Sequence, residues 1–266
     1  MSSTSASLLI AALLTLLPGL AATAERPLAV KLETTLMTTP DATHLSPQQQ
    51  SILPIAALAA SGDLLRLAPA FERGLDAGLT ISDIREVLVQ LYAYAGFPRS
   101  LNALSKFMSV VEERKRRGIQ DEAGIAPSQP IPRGEALLDV GTATQTYLSG
   151  APVTGPLFEF APAIDEYLKT HLFGDIFSRD NLDWPSRELA TLSMLAAITG
   201  TDAQLLAHIR ISRNVGLSIT QLQQVARVLG EQVDAKSGRR VREALVTFTE
   251  DSPRPSSAES QAQTKD

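Results

Sequence analysis

The chain has 266 residues, 44% of them apolar, with dispersed Lys and Arg and a formal net charge of −5, so a sizeable core is available and nucleic acid is not an expected partner. It contains no cysteine, which excludes disulfides, thiolate nucleophiles, Cys-ligated zinc and Cys-x-x-Cys redox chemistry. Aromatic residues make up only 5% while Ala and Leu abound, a balance that favours helix over sheet.

Residues 1–24 carry no charged side chain. An apolar run at 8–17 precedes Pro18-Gly19 and the triplet Ala22-Thr23-Ala24, which reads as a secretory signal cleaved before Glu25. The run is too short for a comfortable bilayer span, so the mature protein is expected to be exported, periplasmic or secreted, and free of the membrane. Residues 25–44 read as an extended, irregular segment with a turn at Thr39-Pro40-Asp41.

Ser46 followed by Pro47 predicts a capped helix over 47–60, broken by Ser61-Gly62-Asp63. A second helix over 64–77 stops at Gly78, and Thr80-x-x-Asp83 opens a third over 81–94. Gly96-Phe97-Pro98 turns the chain into a fourth helix over 99–117. Its end, residues 112–117 (EERKRR), is read as a solvated charge cluster. The proline-containing stretch 118–133 is a connector, followed by helices over 135–148 and 161–172. Residues 173–182 (FGDIFSRDNL) read as a loop whose large apolar side chains should pack down. Helices follow over 185–198, 202–215, 219–229 and 238–248, with a polar tail, 250–266, whose composition predicts disorder. No stretch shows strand alternation, so the expected fold class is all-α.

Two of these stretches are one pattern. Gly62 and Gly78 lead into Leu79-Thr80-Ile81, and Gly200 and Gly216, displaced by 138 residues, lead into Leu217-Ser218-Ile219. Pro47 and Pro185 share the offset, as do the capping boxes Thr80-x-x-Asp83 and Ser218-x-x-Gln221. One helical unit is used twice.

The copies differ where chemistry resides. Gln50 aligns with Glu188 and Ala70 with His208, so only the second copy is ionisable at both places. In a helical hairpin the two positions are staggered by ~6 Å, within side-chain reach. His208 lies on an apolar stripe with Leu205, Ile211, Ser212 and Val215. That placement fits a buried histidine satisfied by one hydrogen bond, and Glu188 near a helix start fits the helix dipole. It equally fits an acid–base pair, in which each group tunes the other. The three histidines, His44, His171 and His208, are too dispersed for a His-based metal site.

At these residues the chain resembles the carboxymuconolactone decarboxylase family, which includes the alkylhydroperoxidase D proteins. The resemblance rests on RELATL from Arg187, the loop at Gly200, QLLAHIRISRNVGLS from Gln204, and the turn Tyr94-Ala95-Gly96-Phe97-Pro98 after GLTISDIREVLVQLYA from Gly78. The loop from Phe173 is similar to the segment that precedes the second copy in two-copy members. The resemblance implies two alkylhydroperoxidase D-like repeats, over 45–117 and 173–249, packed as one domain and joined by 118–172. It also implies homotrimers or hexamers with sites near subunit interfaces.

The peroxidase branch uses a Cys-x-x-Cys that is missing here, so thiol peroxidase chemistry is excluded. The decarboxylase branch needs no thiol and no cofactor. It implies loss of CO2 from a small carboxylated lactone, as in 4-carboxymuconolactone decarboxylase, with reprotonation of the resulting dienolate. In that reading His208 is the proton donor and Glu188 its orienting carboxylate. Arg179 or Arg187 would anchor the substrate carboxylate through bidentate geometry. The alternative is a helical oligomer that binds a small ligand or a partner without catalysis.

Overall fold

The computed structural model describes residues 43–251. The leader at 1–24, nearly all of the segment 25–44 and the tail beyond 251 lie outside the described residues. Within them the chain is helical with no strand.

The first repeat is α1 (Pro47–Ser61), α2 (Leu64–Asp76) and α3 (Ile81–Arg116). Ser46 closes a capping box with Gln49 at the start of α1, and Thr80 does the same with Asp83 at the start of α3. α3 is two helices joined at Gly96, whose backbone (φ 80°, ψ 161°) leaves the helical region. Only glycine adopts such a conformation cheaply.

The second repeat is α7 (Trp184–Ala197), α8 (Asp202–Asn214), α9 (Ile219–Gln232) and α10 (Ala235–Asp251). The 138-residue offset carries α2 onto α8, the start of α3 onto α9, and Phe97 onto Ala235 at the start of α10. α1 and α7 pack against each other at the centre. Ile52 to Ala60 of α1 and Ser186 to Ala196 of α7 are buried without a break, as expected for helices enclosed on every side. The other helices of both repeats surround this pair. Arg240 of α10 fixes the end of α7 by donating to the Leu195 and Ala196 carbonyls at 2.8 Å each.

Two expectations are corrected by packing. The charged end of α3 is not wholly solvated: Arg114 is buried, donating to Asp121 and to Asp76 at 2.8 Å. Those hydrogen bonds, with Asp121 foremost and burial opposing, hold its guanidinium above the ordinary arginine range. The connector is anchored to the start of α3, where Ile81 and Ser82 donate backbone hydrogen bonds to the Glu122 and Ala123 carbonyls.

The second correction concerns the region before the second repeat. α4 (Glu135–Ser149) is followed by two short helices, α5 (Pro156–Phe160) and α6 (Pro162–Tyr167). A π-helical stretch, Leu168–Ile176, then takes in the start of the expected loop. Its wider turn brings Phe173, Ile176 and Phe177 into a small second core with Leu148 of α4 and Ile211 of α8. The close approach depends on Gly141, where an added Cβ would lie 1.7 Å from the Lys169 carbonyl oxygen. Of the inserted helices, α4 packs against α8, the helix that carries His208.

Candidate functional site

α7 begins under the Asp183 carboxylate, which accepts from the Ser186 backbone N–H at 2.7 Å, with Pro185 in the first turn. Glu188 follows on the same helix and is fully buried. The chain reverses through Gly200 (φ 85°), and α8 runs back alongside α7. His208 thus reaches Glu188: Nδ1 lies 2.8 Å from Oε2. His208 itself is 8% exposed, so the pair meets solvent through the imidazole and not through the carboxylate.

This contact commits Nδ1 and leaves Nε2 as the ring's outward acid or base. With Nδ1–H donating to the carboxylate, neutral Nε2 accepts; a protonated ring donates from Nε2. Polar atoms beside the pair remain unsatisfied: Glu188 Oε1, the Ser212 hydroxyl one turn beyond His208, and the Tyr94 hydroxyl.

Tyr94 comes from the other repeat. It stands edge-on to His208, ring centroids 5.8 Å apart, and its hydroxyl is closed off from solvent. Burial first, and the Glu188 charge second, push the phenol far above its usual range. Tyr94 therefore remains a neutral hydroxyl. Thr191 lies close enough to influence it, yet the Thr191 hydroxyl donates to the Arg187 carbonyl and accepts from Gln90, and no bond of normal geometry closes to Tyr94.

The two arginines of the sequence reading converge on Glu86 of α3. Arg179 donates to it from Nε and Nη2, at 2.8 and 2.7 Å, leaving Nη1 outside the fork. Arg187, wholly buried, donates from Nη2 to Glu86 at 3.2 Å and to the Arg179 carbonyl at 3.0 Å. Burial depresses the Arg187 pKa against the opposing pull of Glu86. Burial also works to raise the Glu86 pKa, but Arg179, Asn181 and the Arg187 charge outweigh it and hold the carboxyl below its ordinary value. Both arginines thus tie α3 to the start of the second repeat.

The duplication has a structural counterpart to the site. At the 138-residue offset, Glu188, His208 and Tyr94 correspond to Gln50, Ala70 and Gln232. These three residues line one cavity of about 310 Å³. In each case two positions come from one repeat and the third from the other.

Fold and site together define a tandem all-α protein with a buried carboxylate–imidazole pair in its second repeat. The chain belongs to the carboxymuconolactone decarboxylase family, which it matches over residues 29–107 and 162–245. Among individually curated proteins none matches.

Sequence reasoning missed Tyr94 and Glu86. Tyr94 was visible as the first residue of the Tyr-Ala-Gly-Phe-Pro turn, but nothing in the primary structure says that this turn abuts the other repeat. Glu86 carried no signal beyond being a carboxylate on a helix with buried neighbours.

Proposed function

We propose that the protein is a carboxymuconolactone decarboxylase-like enzyme that performs cofactor-free acid–base chemistry on a small carboxylated or lactone substrate. One observation carries the reading: the 2.8 Å contact that orients His208 against a buried carboxylate while leaving Nε2 outward. In decarboxylation the C–C bond to the carboxylate breaks, CO2 departs, and its electron pair passes into a dienolate. His208 Nε2–H then returns a proton to carbon, and Glu188 compensates the charge of the ring while that proton is held. Tyr94, neutral and edge-on, supplies a hydroxyl toward the same cluster.

The reading includes export and assembly into a homo-oligomer, a trimer or hexamer. The leader at 1–24 supports the first. An exposed apolar stripe on α3, Phe97, Leu101 and Met108, supports the second, since such a stripe favours a protein partner. The tied arginines favour a second reading, a ligand-binding oligomer without catalysis, because Glu86 already engages both guanidiniums that would meet a substrate carboxylate.

The test is CO2 release from a panel of unsaturated lactone carboxylates, 4-carboxymuconolactone among them. His208→Ala and Glu188→Gln should each lower turnover by about 100-fold or more while leaving the helical circular dichroism intact. Turnover in both variants equal to that of the unaltered protein removes the pair from the chemistry, and absence of turnover by the unaltered protein selects the binding reading.

A further inference from the structure

The first repeat's counterpart of the site is a cavity with reversed electrostatics. Gln50 replaces the carboxylate and Ala70 the imidazole, so the space that a ring fills beside α7 is open beside α1. Arg73, which corresponds to the buried, apolar Ile211, adds a cation to the lining. No Asp or Glu lines the cavity, so its only formal charge is positive.

Arg73 is also uncommitted. Its guanidinium makes no hydrogen bond or ion pair among the described residues. The acidic neighbours on α2 are engaged elsewhere, Glu72 with Arg117 at 3.2 Å and Asp76 with Arg114 at 2.8 Å. The Gln50 amide is fixed by its own bond to the Leu45 carbonyl at 2.8 Å. Pro54 and Ala70 supply apolar wall, and Ser51 and Gln232 supply polar groups. At about 310 Å³ the cavity falls at the small end of the range typical of small-molecule sites.

We propose that this cavity is a second, non-catalytic binding site for a small organic carboxylate, held by Arg73 with its hydrocarbon part against Pro54 and Ala70. A guanidinium recognises a carboxylate through parallel N–H···O bonds, and the neutral amides add hydrogen bonds without competing charge. The site is separate from His208 and Glu188, so its failure would leave the acid–base reading untouched.

The experiment is an amide-resolved NMR titration of the full chain with sodium benzoate, using benzamide as the neutral isostere. Benzoate should saturably shift the Gln50, Ala70 and Arg73 amides, with benzamide at least about tenfold weaker, a difference of ~1.4 kcal/mol. Arg73→Gln, at an exposed position, should fold normally and lose benzoate binding by a similar factor. Ala70→His refills the ring space and should abolish it; if that variant does not fold, Arg73→Gln alone decides. His208→Ala should bind benzoate unchanged. The proposal is overturned by equal binding of benzamide, by undiminished binding to Arg73→Gln, by shifts centred on His208, or by no saturable shift at millimolar benzoate.

Discussion

Tyr94 faces His208 edge-on at 5.8 Å between ring centroids, with the planes at 75°, although the two residues belong to different repeats. The carboxylate–imidazole pair is made within one helical hairpin, whereas its aromatic neighbour comes from the other copy. The same exchange places Gln232 beside Gln50 and Ala70 in the first-repeat cavity. Duplication therefore does more than enlarge the core, because each copy places a residue beside the paired positions of the other.

Tyr94→Phe separates the ring from its hydroxyl. The hydroxyl has no bond of normal geometry to lose, so thermal stability should change by less than ~1 kcal/mol. If the hydroxyl takes part in the proposed chemistry, kcat for CO2 release should fall about tenfold with little change in KM. A kcat equal to that of the unaltered protein would reduce Tyr94 to a packing residue.

Glu86 predicts acid lability. Its folded-state pKa lies below the ordinary value of 4.5, so its contribution is complete above that value and is lost as pH falls through the folded pKa. Melting temperature should decline as pH is lowered from 5 toward 3 on this account, and Glu86→Gln should flatten that part of the profile. At neutral pH the same variant leaves Arg187 buried without its carboxylate and should cost ~3–5 kcal/mol. A profile equally steep with and without Glu86 would assign the acid limb to other carboxylates.

Much of this architecture was legible from residues alone, for identifiable reasons. Ser46, Thr80 and Ser218 announce helix starts through local side-chain bonds, and Gly62, Gly78, Gly200 and Gly216 all take positive φ where the repeat pattern places breaks. The meeting of Glu188 and His208 followed from hairpin stagger, which is also local. What stayed hidden depends on contacts distant in sequence. Glu86 and Arg187 are separated by 101 positions, and no periodicity of either helix announces their pairing. The π-helical stretch escaped because its wider turn is set by packing against Gly141, not by propensity.

Arg187→Met tests whether the buried guanidinium is a net stabiliser. Arg187 has its Nε unsatisfied, and burial disfavours its charge. Glu86 would keep the bidentate Arg179 fork in its absence, so the cost should be ~1–2 kcal/mol, below that of Glu86→Gln. Denaturant unfolding of both variants ranks them. A larger loss for Arg187→Met would mean that its bonds to Gln90 and to the Arg179 carbonyl matter more than the charge pairing.

Gly96 connects backbone geometry to the site. It lies two residues after Tyr94, with φ 80° and ψ 161°, a region that side-chain-bearing residues enter at a cost of ~1–3 kcal/mol. Gly96→Ala should therefore lower stability by about that amount. Relief of the strain by rotation toward helical dihedrals would straighten the junction of the two halves of α3 and swing Tyr94 relative to His208. Turnover should then fall together with stability, unlike Tyr94→Phe, where turnover falls alone. Gly118→Ala is the control: it too has positive φ (81°), but a Cβ there meets nothing within 4 Å and the residue lies far along the chain from Tyr94. It should cost ~1 kcal/mol and leave turnover unchanged. Parallel losses of turnover in both glycine variants would trace the effect to general destabilisation and not to the position of Tyr94.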